Sequence, residues 1–384
     1  MLTGPALIRF QKQLLSWFAD ARRDLPWRRT RDPYRIWLSE IMLQQTRVAA
    51  AIPYYERLLK RCPNVRALAE APEEELLRLW AGLGYYSRVR NLQKAARQIV
   101  NQHNSRFPEE PDSALALPGI GQYSVAAILS IAYGKKLAVL DGNVARVVAR
   151  LGGVRGDLRR GGRWKELQGT ADALLAARQP GNWNQAIMEL GATLCTPRSP
   201  QCLLCPVTEF CKARKLGLTT VIPEKRNKRA TEKVVLAALV LVDPQGRTLL
   251  LRPPESSAEG TPATGVAVLL SHMWHFPTIP VQRNAAAELQ EFASDAFFKG
   301  VPQCGRLQPL PKVSHAVTYR QITLLPYGLK VAKLPHMAGA KILLLSELSS
   351  VPISNLTRKV ALAMLSSEPH TKTAEAKRPD QLRF

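Results

Sequence analysis

The sequence predicts a multidomain chain, with an all-α domain over its first half and an α+β domain after it. Two observations carry that prediction. From about residue 5 to residue 212, apolar positions recur three and four apart between short Gly, Pro or Asn breaks. From about residue 231, short apolar runs alternate with turn-forming residues. A length of 384 residues also exceeds what one compact core usually organises.

In the first half, the segments PYRIWLSEIMLQQT, EEELLRLWAGL, YSVAAILSIAYG, GNVARVVARL and NWNQAIMELGATLC each read as one helix. The stretch KARKLGLTTVIPEKRNKRATEK is basic and poor in apolar residues, so 213–230 reads as an interdomain connector. Strands are predicted in VVLAALVLV, RTLLLRPP and QITLLPYGLKV, and a helix over 285–298, within a second domain covering 231–365. The tail, 366–384, lacks the apolar content to fold alone and is expected to be disordered.

A formal charge of +24 and a pI near 10.2 point to a polyanionic partner, nucleic acid first. No apolar run has the length of a membrane span, and no membrane partner is expected. The start, MLTGPALIRFQKQLLSWF, is broken by Arg9 and Lys12, unlike the continuous apolar centre of a secretory signal. The chain is therefore expected to stay inside the cell, where disulfides are disfavoured. Six cysteines with four closely grouped then suggest metal.

Those four form Cys195-x6-Cys202-x2-Cys205-x5-Cys211, a set able to wrap either a zinc ion or an iron–sulfur cluster. Cys62 and Cys304 stand apart and read as ordinary thiols. Leu117-Pro118-Gly119-Ile120-Gly121 precedes a helix over 122–133; such glycines expose backbone N–H groups to a phosphate, though an ordinary helical corner has the same look. Asp141, in Leu140-Asp141-Gly142-Asn143, opens the next helix, as a helix cap or as a functional carboxylate. In Trp37-Leu38-Ser39-Glu40-Ile41-Met42-Leu43-Gln44-Gln45-Thr46, apolar neighbours would desolvate Glu40 and make it a proton donor near neutral pH. A solvent-facing glutamate is the plainer reading.

Taken together, the hairpin with its Asp resembles the helix–hairpin–helix DNA glycosylase superfamily, and the unequal cysteine spacing resembles the [4Fe-4S] loop of endonuclease III and its relatives. With Leu25-Pro26-Trp27-Arg28 and Gly82-Leu83-Gly84-Tyr85-Tyr86, residues 5–212 closely resemble the MutY-type adenine DNA glycosylases. The resemblance implies excision of adenine mispaired with 8-oxoguanine or guanine in double-stranded DNA by a monomer, with a [4Fe-4S] cluster as cofactor. It implies a cytoplasmic, nucleoid-associated enzyme in a bacterium and a nuclear one in a eukaryote.

In such an enzyme Glu40 protonates N7 of the flipped adenine and Asp141 stabilises the oxocarbenium-like sugar. Endonuclease III-like relatives carry a Lys where this chain has Tyr123, which implies a glycosylase with weak lyase activity or none. Asn143 would orient the water or sugar. The adenine pocket maps to Arg23, Leu25, Trp27, Arg28, Leu43 and Val48. Gln45 and Tyr85 match residues wedged into the duplex, and Gly119 and Gly121 the hairpin that grips the DNA backbone. A glutamate that some relatives carry in the pocket is Gln185 here, so its role would be absent or altered.

In the second half, Arg252-Pro253-Pro254 and Trp274-His275-Phe276-Pro277 resemble the MutT-like, Nudix-like domain of the same family. A pyrophosphatase would need a Glu-rich metal helix, and the helix near 285–293 has only Glu288 and Glu291. The loop that reads 8-oxoguanine in the family maps to Val313-Ser314-His315, with Ser314 keeping the hydroxyl and Val313 replacing an aromatic. No function attaches to 253–265. Two other classes fit less of the sequence: a damage-binding protein without catalysis leaves Glu40, Tyr123 and Asp141 together unexplained, and a redox-sensing iron–sulfur regulator leaves the acidic pocket unexplained. An endonuclease III-like pyrimidine glycosylase is the runner-up, disfavoured by Tyr123 and by the second domain.

Overall fold

The computed structural model describes residues 2–224, 230–252, 273–298, 306–317, 319–337 and 339–367. Segment 253–265, Cys304 and the tail from 368 lie outside them. The chain divides into two compact units, Met1–Lys228 and Arg229–Phe384. Among the described residues no helix is long and apolar enough to cross a membrane.

The first unit is helical throughout: α1 (Gly4–Ala21), a 3-10 turn (Pro26–Arg28), α2 (Pro33–Leu43), α3 (Val48–Arg61), α4 (Val65–Glu70), α5 (Glu73–Leu79), α6 (Ser87–Gln102), α7 (Pro111–Leu115), α8 (Gln122–Tyr133), α9 (Gly142–Gly152), α10 (Arg163–Leu174), α11 (Pro180–Thr193) and α12 (Lys212–Lys215). The helix starts follow from local chemistry. Asp32, Asn64 and Asp141 accept the first free N–H groups of α2, α4 and α9. Two apolar clusters result. One gathers α2 to α8 around Trp37, Leu38 and Trp80. The other joins α1 to α8, α9 and α11, with Phe10 edge-on to Trp183 (5.6 Å) and to Phe210 (5.5 Å).

α8 lies between the two clusters and contributes to both. Its approach to α11 needs a glycine, because a Cβ at Gly181 would sit 2.6 Å from the Ser130 carbonyl oxygen. Nearby, the buried Asn184 donates to Ser130 Oγ (2.8 Å) and the Leu137 carbonyl (2.7 Å), and accepts from the Val139 N–H (3.2 Å). The segment leading into Asp141 is thereby fixed to α11.

The connector expected from residue 213 differs in its first half. Ala213 and Ile222 are buried in the core of the helical unit, and Arg150 Nε donates to the Ile222 carbonyl at 2.7 Å. Lys and Arg dominate the composition of this stretch, but the few apolar side chains are the ones that pack.

Among the described residues, the second unit holds one mixed sheet built from β1 (Glu232–Val242), β2 (Arg247–Leu251), β3 (Thr278–Pro280), β4 (Gln308–Pro309), β5 (Val313–Val317), β6 (Arg320–Lys330) and β7 (Ala340–Leu344). Its order is β4-β6-β1-β2-β7, with β3 on β1 and β5 on β6. β1 and β6 run parallel from Glu232↔Arg320 to Val242↔Lys330. Alternate β1 side chains feed two cores: α13 (Ala285–Phe297) covers one face and α14 (Asn355–Ser367) the other. This is the Nudix-like arrangement expected. α14 runs two residues into the segment assigned to the tail. Glu288 accepts from the backbone N–H groups of Gln282, Arg283 and Asn284 at 2.7–3.3 Å, a local role at the start of α13.

Val313-Ser314-His315 is not a loop. It forms the first part of β5, paired antiparallel to β6 with Ser314 opposite Thr323. Val313 points into the core while Ser314 is exposed, and the alternation that a strand requires is present in Val-Ser-His-Ala-Val.

Candidate active site and cluster loop

A cavity of about 220 Å³ in the helical unit is lined by Glu40, Tyr123, Asp141 and Asn143 together with Arg23, Leu25, Trp27, Arg28, Leu43 and Val48. These residues come from α2, α3, α8, α9 and the segment around the 3-10 turn. Every residue predicted for catalysis or for the adenine pocket thus meets in one place.

Glu40 is 7 % exposed. Burial is the main force lifting its carboxyl, to about 7; a hydrogen bond with Tyr123 opposes this, the Asp141 charge adds to it and Arg28 pulls it down. The Tyr123 hydroxyl, 3.1 Å from Met188 Sδ, is pushed well above its ordinary value by burial and by the two carboxylates. It therefore stays a neutral phenol. Asp141 caps α9, accepting from the N–H groups of Asn143 (2.9 Å) and Val144 (2.7 Å) and from Asn143 Nδ2 (3.1 Å). The capping role and the pocket role coexist: Oδ1 takes both backbone bonds and Oδ2 only the side-chain bond. Trp27 combines roles too, since it lines the cavity while packing edge-on against Tyr55 at 5.3 Å.

Gln185 also lines the cavity, and one helical turn beyond it stands a carboxylate that the sequence reading missed, Glu189. Its side chain is 1 % exposed and bridges Arg23 (2.7 Å) and Arg28 (2.8 Å). The available signal was a Glu inside the apolar run Ala186-Ile187-Met188-Glu189-Leu190, where an unpaired charge would not be tolerated.

Gln45, Tyr85 and Gly119 line a second cavity. Gln45 (φ 58°) and Tyr85 (φ 48°) both occupy the left-handed region, which is strained for side-chain-bearing residues, and Tyr85 is 41 % exposed. The buried Arg88 holds both turns in this form by donating to the carbonyls of Ile41, Met42 and Gln44 on one side and Leu83 and Gly84 on the other. Arg88→Met is expected to leave these acceptors unpaired and to lower stability by on the order of 3 kcal/mol; thermal unfolding measures it, and a loss within error would deny Arg88 this structural part. In the hairpin, Gly119 has φ 78° and a Cβ there would meet Asn91 Cβ at 2.8 Å, so the turn requires glycine. Gly121, extended, is the first residue before α8.

Cys195, Cys202, Cys205 and Cys211 are free and line one cavity, whose wall includes Arg150. Burial and the neighbouring cysteines push the Cys205 thiol up to about 11, so its thiolate form needs a cationic partner. Four free thiols ringing a common cavity are a donor set that suits a four-iron cluster. Arg150, 1 % exposed, donates to Cys195 Sγ (3.3 Å) and to the Thr196 carbonyl (2.8 Å). Arg146 ties the same loop to the pocket, donating to the Cys195 carbonyl (2.9 Å) and to Asn143 Oδ1 (3.1 Å). Cys62 is buried, with its carbonyl bonded by the Tyr34 hydroxyl.

Residues 38–172 match the family described as HhH-GPD superfamily base excision DNA repair protein. Residues 195–211 match the iron–sulfur binding domain of endonuclease III, which spans all four cysteines. The chain is 34 % identical to the adenine DNA glycosylase of Homo sapiens, covering 94 % of this chain and 75 % of that one. It is 32 % identical to the adenine DNA glycosylase of Mus musculus, with 91 % and 77 % covered. Among solved structures it is similar to a thermostable thymine-DNA glycosylase, with a TM-score of 0.51 and 30 % identity over 55 % of this chain and 97 % of that one.

Proposed function

The chain belongs to the adenine DNA glycosylase family, a DNA-binding, iron–sulfur hydrolase of N-glycosyl bonds in base excision repair, and from that premise we propose that it removes adenine lying opposite 8-oxoguanine or guanine. The observation that carries the chemistry is a buried acid and a capping carboxylate facing one cavity, Glu40 and Asp141. Glu40, held up to about 7, delivers its proton to N7 of the flipped adenine. The C1′–N9 bond then breaks with its electron pair going to the base. The positive charge left on the sugar is met by the Asp141 carboxylate, and water adds at C1′ to give an abasic site, its proton returning to a pocket carboxylate. Tyr123 keeps Glu40 in place through its phenol, and Asn143 steers the water and Asp141.

Trp27, Leu25, Leu43 and Val48 form the apolar walls around the base, with Arg23 and Arg28 at its edge. Gln45 and Tyr85 fill the stack that the adenine leaves, and the N–H groups around Gly119 and Gly121 take the DNA backbone. The cluster on Cys195, Cys202, Cys205 and Cys211, when bound, supplies a fixed cationic centre around which this loop folds. In the second unit, the exposed hydroxyl of Ser314 is available to the base opposite the adenine.

Single-turnover cleavage of duplexes carrying A opposite 8-oxoguanine, A opposite G, and thymine glycol tests this reading. The expected order is A opposite 8-oxoguanine before A opposite G, with thymine glycol untouched and strands broken only after alkali, since Tyr123 offers no amine for a Schiff base. Cleavage of thymine glycol alone would overturn it.

A further inference from the structure

Base excision as derived above makes no use of the most deeply buried charge in the pocket wall. Glu189, on α11, accepts from Arg23 Nε and Nη2, both at 2.7 Å, from the Arg23 N–H at 3.3 Å and from Arg28 Nη2 at 2.8 Å. Its side chain is 1 % exposed. Arg28, itself 11 % exposed, also donates to the Arg23 carbonyl at 3.1 Å and lies over the Phe18 ring at 5.3 Å. One anion therefore serves two cations, and all three line the same cavity as Glu40.

A single buried anion among two arginines does two things. It fixes the planar guanidiniums, because each takes up a defined edge of the carboxylate. It also reduces the charge of that wall from +2 to +1, in a site where low polarity makes each charge reach further. Glu189 stays ionised throughout: burial pushes its carboxyl up, but the hydrogen bonds from Arg23 and Arg28 outweigh this and hold it at about 2.

We propose that Glu189 is a positioning residue for base excision, which sets Arg28 in the pocket wall and cancels one of its two cationic charges so that the wall does not strip the proton from Glu40. The inference rests on the reading of Glu40 as the acid. The charged and titratable groups that line the cavity with Glu40 are Tyr123 from α8, Asp141 from the start of α9, Arg28 and Arg23 from the segment before α2, and Glu189 from α11. From α6, Arg88 turns to the carbonyls at the end of α2, and from α3, Tyr55 packs on Trp27. Of these, Arg28 is the cation that draws the Glu40 carboxyl down, and Glu189 is the anion paired with it.

The test is the pH profile of single-turnover adenine excision by the full chain with its cluster, on A opposite 8-oxoguanine. Excision needs protonated Glu40, so the parent loses rate as pH rises through about 7. Glu189→Gln is expected to move this alkaline limb toward lower pH by about one unit, a tenfold loss on the alkaline side. Arg23→Gln, at a half-exposed side chain, is expected to move it the other way. Glu189→Gln combined with Arg23→Gln restores a net +1 and should return the limb to the parental position. Glu189→Asp keeps the charge but not the geometry, and should lower the rate at every pH without moving the limb.

A merely structural role would lower the rate uniformly in Glu189→Gln and leave the limb unmoved in Arg23→Gln, and either result overturns the proposal. Should Glu189→Gln fail to fold, a parental limb in Arg23→Gln or a shifted one in the double variant overturns it equally. If instead the parent has no alkaline limb, or Glu40→Gln retains parental rate, the assignment of the acid has failed rather than that of Glu189.

Discussion

Glu40→Gln is expected to lower single-turnover adenine excision by about 10²- to 10⁴-fold while making the folded protein more stable above neutral pH. The two effects share a cause. In the folded chain the Glu40 proton is retained up to about pH 7, against an ordinary value of 4.5, so the folded form holds it more tightly than the unfolded one. That contribution to stability is complete below pH 4.5 and is lost as pH rises through about 7, an amount of about 3 kcal/mol. A glutamine occupies the same space and never ionises. Urea unfolding of parent and variant at mildly acidic and mildly alkaline pH measures the difference: equal stability in acid and a more stable variant in alkali are expected. A variant that keeps its excision rate, or that gains nothing in alkali, would remove Glu40 from the role of acid.

Asp141→Asn should separate the two duties of that residue. Asparagine caps helices about as well as aspartate, so α9 keeps its start and the melting temperature should stay within a few degrees of the parent. The anion facing the sugar is lost, and excision should fall by about 10²- to 10³-fold. The Asp141 charge also helps lift the Glu40 carboxyl; its removal should shift what remains of the alkaline limb toward lower pH. Single-turnover kinetics across pH with a parallel melting curve gives all three readings. Parental rates in a well-folded variant would assign Asp141 to capping alone.

The helical half was legible because its signals are local. Capping residues such as Asp32 and Asp141 and the three-and-four spacing of apolar residues act within one turn, and the active-site residues stand inside those short, readable segments. What escaped depends on distance. Glu189 and Arg23 are 166 positions apart, so neither predicts the other. Arg88 reads as one more basic residue on an amphipathic helix until the two turns it joins are in place. In the stretch after Cys211, net charge masked Ala213 and Ile222, two small contributors with large consequences for where the helical unit ends. At Val313 the family likeness suggested a loop, whereas the simple alternation of the five residues argued for a strand.

The pairing of α1 with α11 also sets a timetable for synthesis. The apolar face of α1, with Phe10, Leu14 and Phe18, belongs to the same core as Trp183, Leu190, Val207 and Ile222, so part of what covers α1 is made only at the end of its unit. Glu40, Tyr123 and Asp141 emerge well before that. A nascent chain ending near residue 172 would display the hairpin and both carboxylates, yet Arg28 would have no anion to hold it and the cysteine loop would not exist. A chain cut short there lacks Glu189 and the cysteine loop, and its core lacks the side chains that α11 and the loop contribute around α1.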